Sequence, residues 1–540
     1  MTILRLIPPL LRSLSWLLLA YMILLAVQAW LGHWDPAFIS GRDLWHFWAT
    51  RMIVPMVMLA FFAAFARLIP SALFLAAALI FIGTISLIKK EATGEPFQVS
   101  DLFLAGQGGA LLSYVSWDKW LMGALIFPAG VWYLWNLRLR KWSLPVALLC
   151  AGLLSTYRLE AVVNFIHDEM GPWGLENLTF SQAESERMNG LATHLYFSTA
   201  GLVLQSYTAE QVAEALANLE VAPIATSDSP PPDVYVILGE AWWRDPSDPA
   251  SPFDRLKGDG VIETHAISPI YGGTTPNAEF EVLTAVPVKH FRSGTIPYQH
   301  FMGYFGEHTV SLPRQLAGKG FDTHAYHNFT ARYWLRDQVY PRLGFQSFDS
   351  AEEMGLRLKQ NGWPSDEKLY AKVLSRVDAA EAPQFHFIVT VMTHGAYAPG
   401  GDCGLPDPKG ACDYRKRLDG AVTEFQKFIA GLKARGRPYL VLAFGDHLPG
   451  LRDHQTAIGI GGQKDPRLHQ VPILIHGAGT DAAGLAARVT GKPLYCVGPL
   501  LADSLKLGIA DPYYRHMVLE CGKDEPAMPS DLLVNHQLFN

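Results

Sequence analysis

Leu442-Ala443-Phe444-Gly445-Asp446-His447-Leu448-Pro449-Gly450 closes an apolar run that begins at Pro438 and sets a carboxylate and an imidazole directly behind it. A continuous apolar run reads as a strand buried on both faces, and open α/β sheets bind ligands beyond the carboxyl ends of their strands. Asp446 and His447 at such an end are suited to holding one divalent metal. Gly-Asp-His alone is a weak motif, so its weight depends on what accompanies it.

Four other stretches repeat the pattern. Residues 233–239 form a strand-like run followed by Glu240, and residues 322–326 one followed by His327. Residues 385–392 lead into Thr393 and His394, and residues 471–475 into His476. Segments of helical character separate them, which argues for an α/β domain. Five strands each followed by a polar, metal- or phosphate-competent side chain are expected to converge on one rim. Any one of these histidines taken alone reads as a hydrogen-bonded structural residue.

A nucleophile is available in Tyr271-Gly272-Gly273-Thr274-Thr275-Pro276-Asn277-Ala278-Glu279-Phe280. The glycines let backbone approach a ligand, Thr275 reads as a helix N-cap, and Pro276 fits the first helical position. A hydroxyl there meets the anion site of a helix N-terminus. An ordinary capping threonine is the alternative.

The N-terminal part has a different composition. The chain has 540 residues, 49% hydrophobic and 12% aromatic, and its apolar content is concentrated in residues 13–34, 52–66, 68–88, 120–137 and 142–157. About 20 apolar residues span a bilayer, and flanking Arg can snorkel, so five transmembrane helices are expected. Tryptophans at 30, 34, 45, 48, 117, 120, 132, 135 and 142 crowd the span ends as an interfacial belt does. Arg5, Arg12, Arg67, Arg138, Arg140 and Lys141 lie in the short loops of one side, which puts the N-terminus in the cytoplasm and everything after Arg158 outside. The first span is too long for a cleaved signal sequence.

Four of the five cysteines, at 403, 412, 496 and 521, lie in the polar part, an even count that fits two disulfides and an oxidising compartment. Cys403–Cys412 is the expected pair because the loop between them is short; Cys150 reads as an inert residue of the fifth span. Net charge is −6 and no basic stripe occurs in the polar part, which argues against a nucleic-acid partner. Residues 1–160 thus read as a membrane domain, 161–232 as a helical, proline-rich linker and 233–540 as the catalytic domain. Thr208-Ala209-Glu210-Gln211 has capping-box spacing within that linker.

Glu240 after a strand, Gly-Gly-Thr-Thr-Pro-Asn-Ala-Glu-Phe-Glu at 272–281, Tyr-Trp-Leu-Arg-Asp-Gln-Val-Tyr at 333–340, Thr-His-Gly-Ala-Tyr at 393–397 and Gly-Asp-His-Leu-Pro-Gly together resemble the lipoteichoic acid synthase family. That family includes phosphoglycerol transferases acting on glucans and belongs to the sulfatase branch of the alkaline phosphatase superfamily. The loop from Lys89-Lys90 through Glu95-Pro96 to Asp101-Leu102 also looks like the family's membrane segment. The resemblance implies a five-span membrane domain, a linker and an extracytoplasmic sulfatase-like α/β domain, and the cysteine pairs favour the periplasm and hence the bacterial inner membrane. It implies Thr275 as nucleophile, selected over Thr274 by the Thr-x-x-x-Glu-Phe spacing, and Glu240, Thr275, Asp446 and His447 as ligands of one Mn2+ or Mg2+. His327, Trp334, Arg336 and His394 match positions that contact the phosphoglycerol head group. Phosphatidylglycerol is the implied donor, and an envelope glycan (a periplasmic glucan, favoured by the cysteine pairs) or polyglycerolphosphate the acceptor. Leu335 and Pro276 depart from the pattern, and Pro276 removes a backbone N–H near the phosphate.

Competing readings are a sulfatase, which would need a Cys or Ser followed by x-Pro-x-Arg, and a phosphoethanolamine transferase, against which the Glu-Phe-Glu and Tyr-Trp-Leu-Arg-Asp blocks argue. A catalytically dead membrane sensor is the reading from another class.

Overall fold

The computed structural model describes residues 9–32, 44–93, 96–99, 126–171, 175, 182–199, 207–291, 295–356, 363–378, 380–407, 409–460 and 465–539. They divide into two compact units, Met1–Val203 with Arg292–Thr295, and Leu204–Phe291 with Ile296–Asn540.

In the first unit two helical stretches, Ser13–Leu31 and Leu68–Leu87, are long and apolar enough to cross a membrane. The other three expected spans appear as shorter apolar helices, Thr50–Ala63, Ile126–Trp135 and Ser143–Leu154. The first of these lies within Leu44–Ala63, whose N-terminal part is polar enough to carry Arg51, a fully buried side chain whose Nε donates to Met188 O at 2.6 Å. The beginning of the expected 120–137 span lies outside the described residues, as do Glu95, Asp101 and Leu102. Large apolar side chains stand exposed along these helices, among them Leu18 at 62%, Phe127 at 75% and Trp135 at 88%. So many exposed large apolar side chains suit lipid, not water.

Within residues 161–232 the chain forms helices Gln182–Asn189, Leu191–Phe197 and Ala209–Ala217. The last starts at the expected capping box, with Thr208 Oγ1 accepting from Gln211 N and the Gln211 side chain accepting from Thr208 N.

The second unit is built on a seven-stranded sheet of order β2-β7-β6-β1-β5-β3-β4. The strands are β1 Asp233–Gly239, β2 Ile262–Ile267, β3 Asp322–His327, β4 Ser347–Asp349, β5 Gln384–Val389, β6 Tyr439–Gly445 and β7 Gln470–Ala478. β6, β1, β5, β3 and β4 run parallel, and every residue of β1, β5 and β6 is buried, as their continuous apolar sequences require. β7 runs antiparallel to β6, which corrects one expectation. His476 lies inside β7 opposite Val441, near the amino end of β6, so it is remote from the rim that carries Asp446 and His447. There its ring stacks on Tyr439 and accepts or donates through Nδ1 to the Tyr439 hydroxyl at 3.1 Å.

Both disulfides form, with Cα–Cα distances of 5.7 Å for Cys403–Cys412 and 5.5 Å for Cys496–Cys521. Cys150 is free and buried. Cys496–Cys521 is fully buried and closes a loop of 25 residues, so removing it should cost about 3.5 kcal/mol by the loop-entropy relation. Denaturant unfolding of the Cys496→Ser/Cys521→Ser protein measures this, and a loss below about 1 kcal/mol would show that the bridge does not restrain the unfolded chain.

Candidate active site

The register of β1 on β6 pairs Gly239 with Gly445, so Glu240 and Asp446 leave the sheet side by side. Both glycines are required by packing. A Cβ on Gly239 would sit 2.0 Å from the Trp242 ring, and one on Gly445 would sit 2.3 Å from Trp242 O. Trp242 is thus tucked against both strand ends and turns the chain back after Glu240, with Ala241 in the left-handed region at φ 50°.

Asp446 Oδ1 is consumed by two backbone donors, Ala241 N at 2.7 Å and His447 N at 2.9 Å. Its Oδ2 is buried and has no hydrogen-bond partner. His447 Nδ1 donates to Leu448 O at 2.8 Å, which leaves the lone pair on Nε2, also buried and without a hydrogen-bond partner. That Nε2 lies 3.2 Å from Asp446 Oδ2 and 3.6 Å from Glu240 Oε1. Ligand atoms of Glu240, Asp446 and His447 all fall within 4.8 Å of one another. Buried lone pairs facing each other repel unless a cation lies between them, so this donor set fits a divalent metal. Glu240 is itself braced, with its N–H donating to Thr390 Oγ1 at 3.0 Å and its carbonyl accepting from Thr393 Oγ1.

Burial, with the Asp446 carboxylate beside it, pushes the Glu240 carboxyl up to about 8. A group protonated more in the folded state lowers stability as pH rises, so the cation-free protein should weaken between the ordinary carboxylate range and pH 8. Cation binding at pH 7 should then release a proton and tighten with pH. Calorimetry with Mn2+ in buffers of different ionisation enthalpy tests this. Asp446→Asn should lose at least about tenfold in affinity, and unchanged Mn2+ binding in that variant would remove these residues as ligands.

Thr275 opens the helix Thr275–Thr284, and its Oγ1 donates to Glu240 Oε2 at 3.2 Å. The expected N-cap shifts by one residue. Thr274 occupies that position at φ 66°, after Gly272 and Gly273 at φ 75° and 159°, and Pro276 is the second helical residue. The left-handed Gly-Gly-Thr turn starts the helix early, so the Thr275 hydroxyl faces the carboxylates and not its own helix end. Gly272 N donates to Leu448 O at 3.2 Å, which ties this turn to the segment following His447.

His327 ends β3, donates through Nδ1 to Val389 O at 3.0 Å, and leaves its buried Nε2 without a hydrogen-bond partner. Burial first, then nearby Arg336, holds this imidazole well below its ordinary value, so it is neutral. His394 Nδ1 contacts Gly395 O at 2.7 Å. Trp334 and Leu335 take left-handed backbone at φ 61° and 59°, and the helix Arg336–Arg342 follows at once. Arg336 is 1% exposed and grips Glu279, with Nη2 at 2.5 Å and Nε at 3.1 Å from Oε1. The Tyr340 hydroxyl donates to Glu279 Oε2 at 2.7 Å. Glu279 lies one turn after Thr275, so this buried ion pair connects the Arg336 segment to the helix bearing the threonine.

All eight candidate residues therefore belong to one unit and lie at, or in the segments following, the carboxyl ends of β1, β2, β3, β5 and β6. Sequence reasoning passed over Glu279, Tyr340 and Thr390. Glu279 was legible as the residue one helical turn beyond Thr275; the others carry no local signal.

Residues 232–494 match the Sulfatase family model. A candidate cyclic beta-1,2-glucan modification protein of Rhizobium meliloti is 30% identical over 303 residues, 52% of this chain and 46% of that protein. Lipoteichoic acid synthase 2 of Bacillus subtilis is 23% identical over 188 residues, 31% of this chain and 28% of that one. The matched stretches thus span less than half the length of either relative. Among solved structures, a Streptococcus pyogenes phosphoglycerol transferase in complex with sn-glycerol-1-phosphate has a TM-score of 0.45 at 19% identity, covering 61% of this chain and 87% of that one. The Neisseria meningitidis lipooligosaccharide phosphoethanolamine transferase A has a TM-score of 0.48 at 13% identity, covering 94% and 96%.

Proposed function

We propose, from the premise that residues 232–494 are a sulfatase-family domain of the alkaline phosphatase superfamily, that this protein is a phosphoglycerol transferase. It takes glycerophosphate from phosphatidylglycerol, through a phospho-threonine on Thr275, and gives it to an envelope glycan, a periplasmic glucan in preference to polyglycerolphosphate. The observation that carries the reading is the Thr275 hydroxyl at 3.2 Å from Glu240 Oε2, beside two further buried ligand atoms without partners. Relatives named for glucan modification and for lipoteichoic acid synthesis support the choice of acceptor class.

Bound by Glu240, Asp446, His447 and Thr275, Mn2+ or Mg2+ supplies Lewis-acid activation of the threonine oxygen and charge compensation at the phosphoryl group. Glu240 holds the Thr275 proton at Oε2 and aims the oxygen. Thr275 Oγ1 forms a bond to phosphorus as the bond to the diacylglycerol oxygen breaks, and diacylglycerol leaves with a proton. In the second step the acceptor oxygen forms its bond to phosphorus as the Thr275 Oγ1–P bond breaks, and the proton of the acceptor hydroxyl passes to Thr275 Oγ1. His327, Trp334 and His394 hold the glycerol group, and Arg336 offsets charge on the phosphoryl oxygens.

The proposal places five spans in the inner membrane, residues 161–232 as connector and the domain from 233 onward in the periplasm, where disulfides persist. Anchoring keeps the site at the head groups of its lipid donor. The test supplies labelled phosphatidylglycerol and a glucan to the purified full chain with Mn2+. Diacylglycerol release and label on the glucan are expected, and chelation should stop both. Consumption of phosphatidylethanolamine instead would transfer the assignment to phosphoethanolamine, and turnover of neither lipid would leave the sensor reading.

A further inference from the structure

The first unit holds a cavity of about 280 Å³ that the transfer mechanism has not used, lined wholly by residues of that unit. One wall is residues 50–57 of Leu44–Ala63 with the last turn of Ser143–Leu154. The other is built from residues 156–170, Leu175 and residues 191–197, where Tyr157, Ile166, Leu175 and Phe197 form a small buried core of their own. The Tyr157 and Phe197 rings pack there at 4.8 Å, which keeps this wall in place without help from the cavity side.

The lining carries four hydroxyls, and each already has a partner. Thr156 Oγ1 donates to Leu153 O at 2.7 Å and lies 2.9 Å from the Tyr196 hydroxyl. Thr50 Oγ1 accepts from Arg51 Nη1 at 3.3 Å, and Thr193 Oγ1 donates to Arg51 O at 3.5 Å. No charged side chain occurs among the described residues that line the cavity. A bound water needs about 2–4 polar partners, so this lining suits an apolar occupant.

The mouth shows where that occupant comes from. Ile53, Leu153 and Phe165 line the cavity and are exposed as well. Leu153 follows the exposed Leu149 by one helical turn, so the opening continues a lipid-suited face of Ser143–Leu154. Lipid tails are as apolar as leucine, so a chain is drawn in by the packing contacts that a cavity lining otherwise lacks. An apolar hole of about 150 Å³ takes up one benzene, so about 280 Å³ takes a stretch on the order of ten chain carbons. That is most of one acyl chain and too little for two.

We propose that this cavity is an acyl-chain slot, which takes one chain of a glycerophospholipid from the bilayer. The proposal rests on the transfer reading only for making that lipid the donor, and occupancy is measurable without turnover.

The experiment reconstitutes the full chain in phosphatidylcholine vesicles containing phosphatidylglycerol with a diazirine on one acyl chain. After irradiation, peptide mass spectrometry maps the adducts. In the wild type they should be enriched at least about tenfold on residues 53–57 and 162–170 over the lipid-facing residues 144–149. Val54→Trp, which fills the slot, should cut the slot adducts at least about tenfold, and the smaller Val57→Phe at least about threefold. Leu148→Trp, on the exposed face, should leave them unchanged. Even labelling of the wild type overturns the proposal before any variant is made. So do undiminished adducts in either slot variant that unfolds at the wild-type temperature. With transfer running, Val54→Trp should raise the KM for long-chain phosphatidylglycerol about tenfold at unchanged kcat, and leave the dihexanoyl lipid unaffected. A KM that rises equally for both would take the donor out of the slot. Enriched adducts without turnover of any lipid would sink the transfer reading and keep the slot, whereas turnover with even labelling would do the reverse.

Discussion

Thr275→Ala is expected to abolish diacylglycerol release from phosphatidylglycerol and labelling of the acceptor, with a loss of at least about 10³-fold. The substitution removes one oxygen that donates only to Glu240 Oε2 and caps no helix, so the fold should persist. Retention of Mn2+ binding, by the calorimetry described above, separates a lost nucleophile from a lost metal site. Thr274→Ala is the matched control. Thr274 holds the left-handed N-cap position, so its loss should affect loop geometry and cost about tenfold or less. A Thr275→Ala rate within about tenfold of wild type is incompatible with a covalent role. Should Thr274 prove the essential residue, the one-residue spacing that chose between them was misapplied.

That choice shows what a sequence can disclose and what it cannot. Strands β1, β5 and β6 were legible because each is buried on both faces and so is written as one apolar run, and the residues following those runs do gather on one rim. β2, Ile-Glu-Thr-His-Ala-Ile at 262–267, is an edge strand with mostly half-buried residues, and its mixed sequence carries no such run. β4 has three residues and is too short to show a period. Strand direction was not legible either: a run and its trailing histidine read alike whether parallel or antiparallel, so His476 was assigned to the wrong end of the sheet. The membrane unit shows the same limit. Apolar runs do not fix helix ends: Leu44–Ala63 and Leu68–Thr93 extend beyond the runs at 52–66 and 68–88 through polar residues, whereas Ser143–Leu154 stops short of the run that reaches 157. The pairing of Arg336 with Glu279, as distinct from the place of Glu279 one turn beyond Thr275, was hidden for a different reason, since an ion pair across 57 residues of sequence leaves no local pattern.

Glu279→Gln should be the most destabilising single change at the site that leaves its volume intact. Both side chains of the Arg336–Glu279 pair are essentially buried, at 2% and 0% exposure. The pair itself is weak evidence for stability, because desolvation of two charges offsets most of their attraction. Breaking one side is different. Arg336 would keep its charge with only the Tyr333 carbonyl, at 3.3 Å from Nη1, and whatever the glutamine oxygen accepts. The expected cost is about 3–5 kcal/mol, read by denaturant unfolding of the detergent-solubilised protein. Glu279→Gln/Arg336→Met removes the stranded charge, and its stability should return to within about 1 kcal/mol of wild type. Activity then discriminates between two roles for Arg336. If it only joins the Arg336–Arg342 segment to the Thr275 helix, transfer should recover together with stability. If it also offsets phosphoryl charge, the double variant should be stable and remain at least about 100-fold slower, because the guanidinium charge is then missing from the transition state. A Glu279→Gln protein as stable as wild type would show that water or another group reaches Arg336, and the coupling between the head-group loop and the nucleophile helix would have to be carried elsewhere.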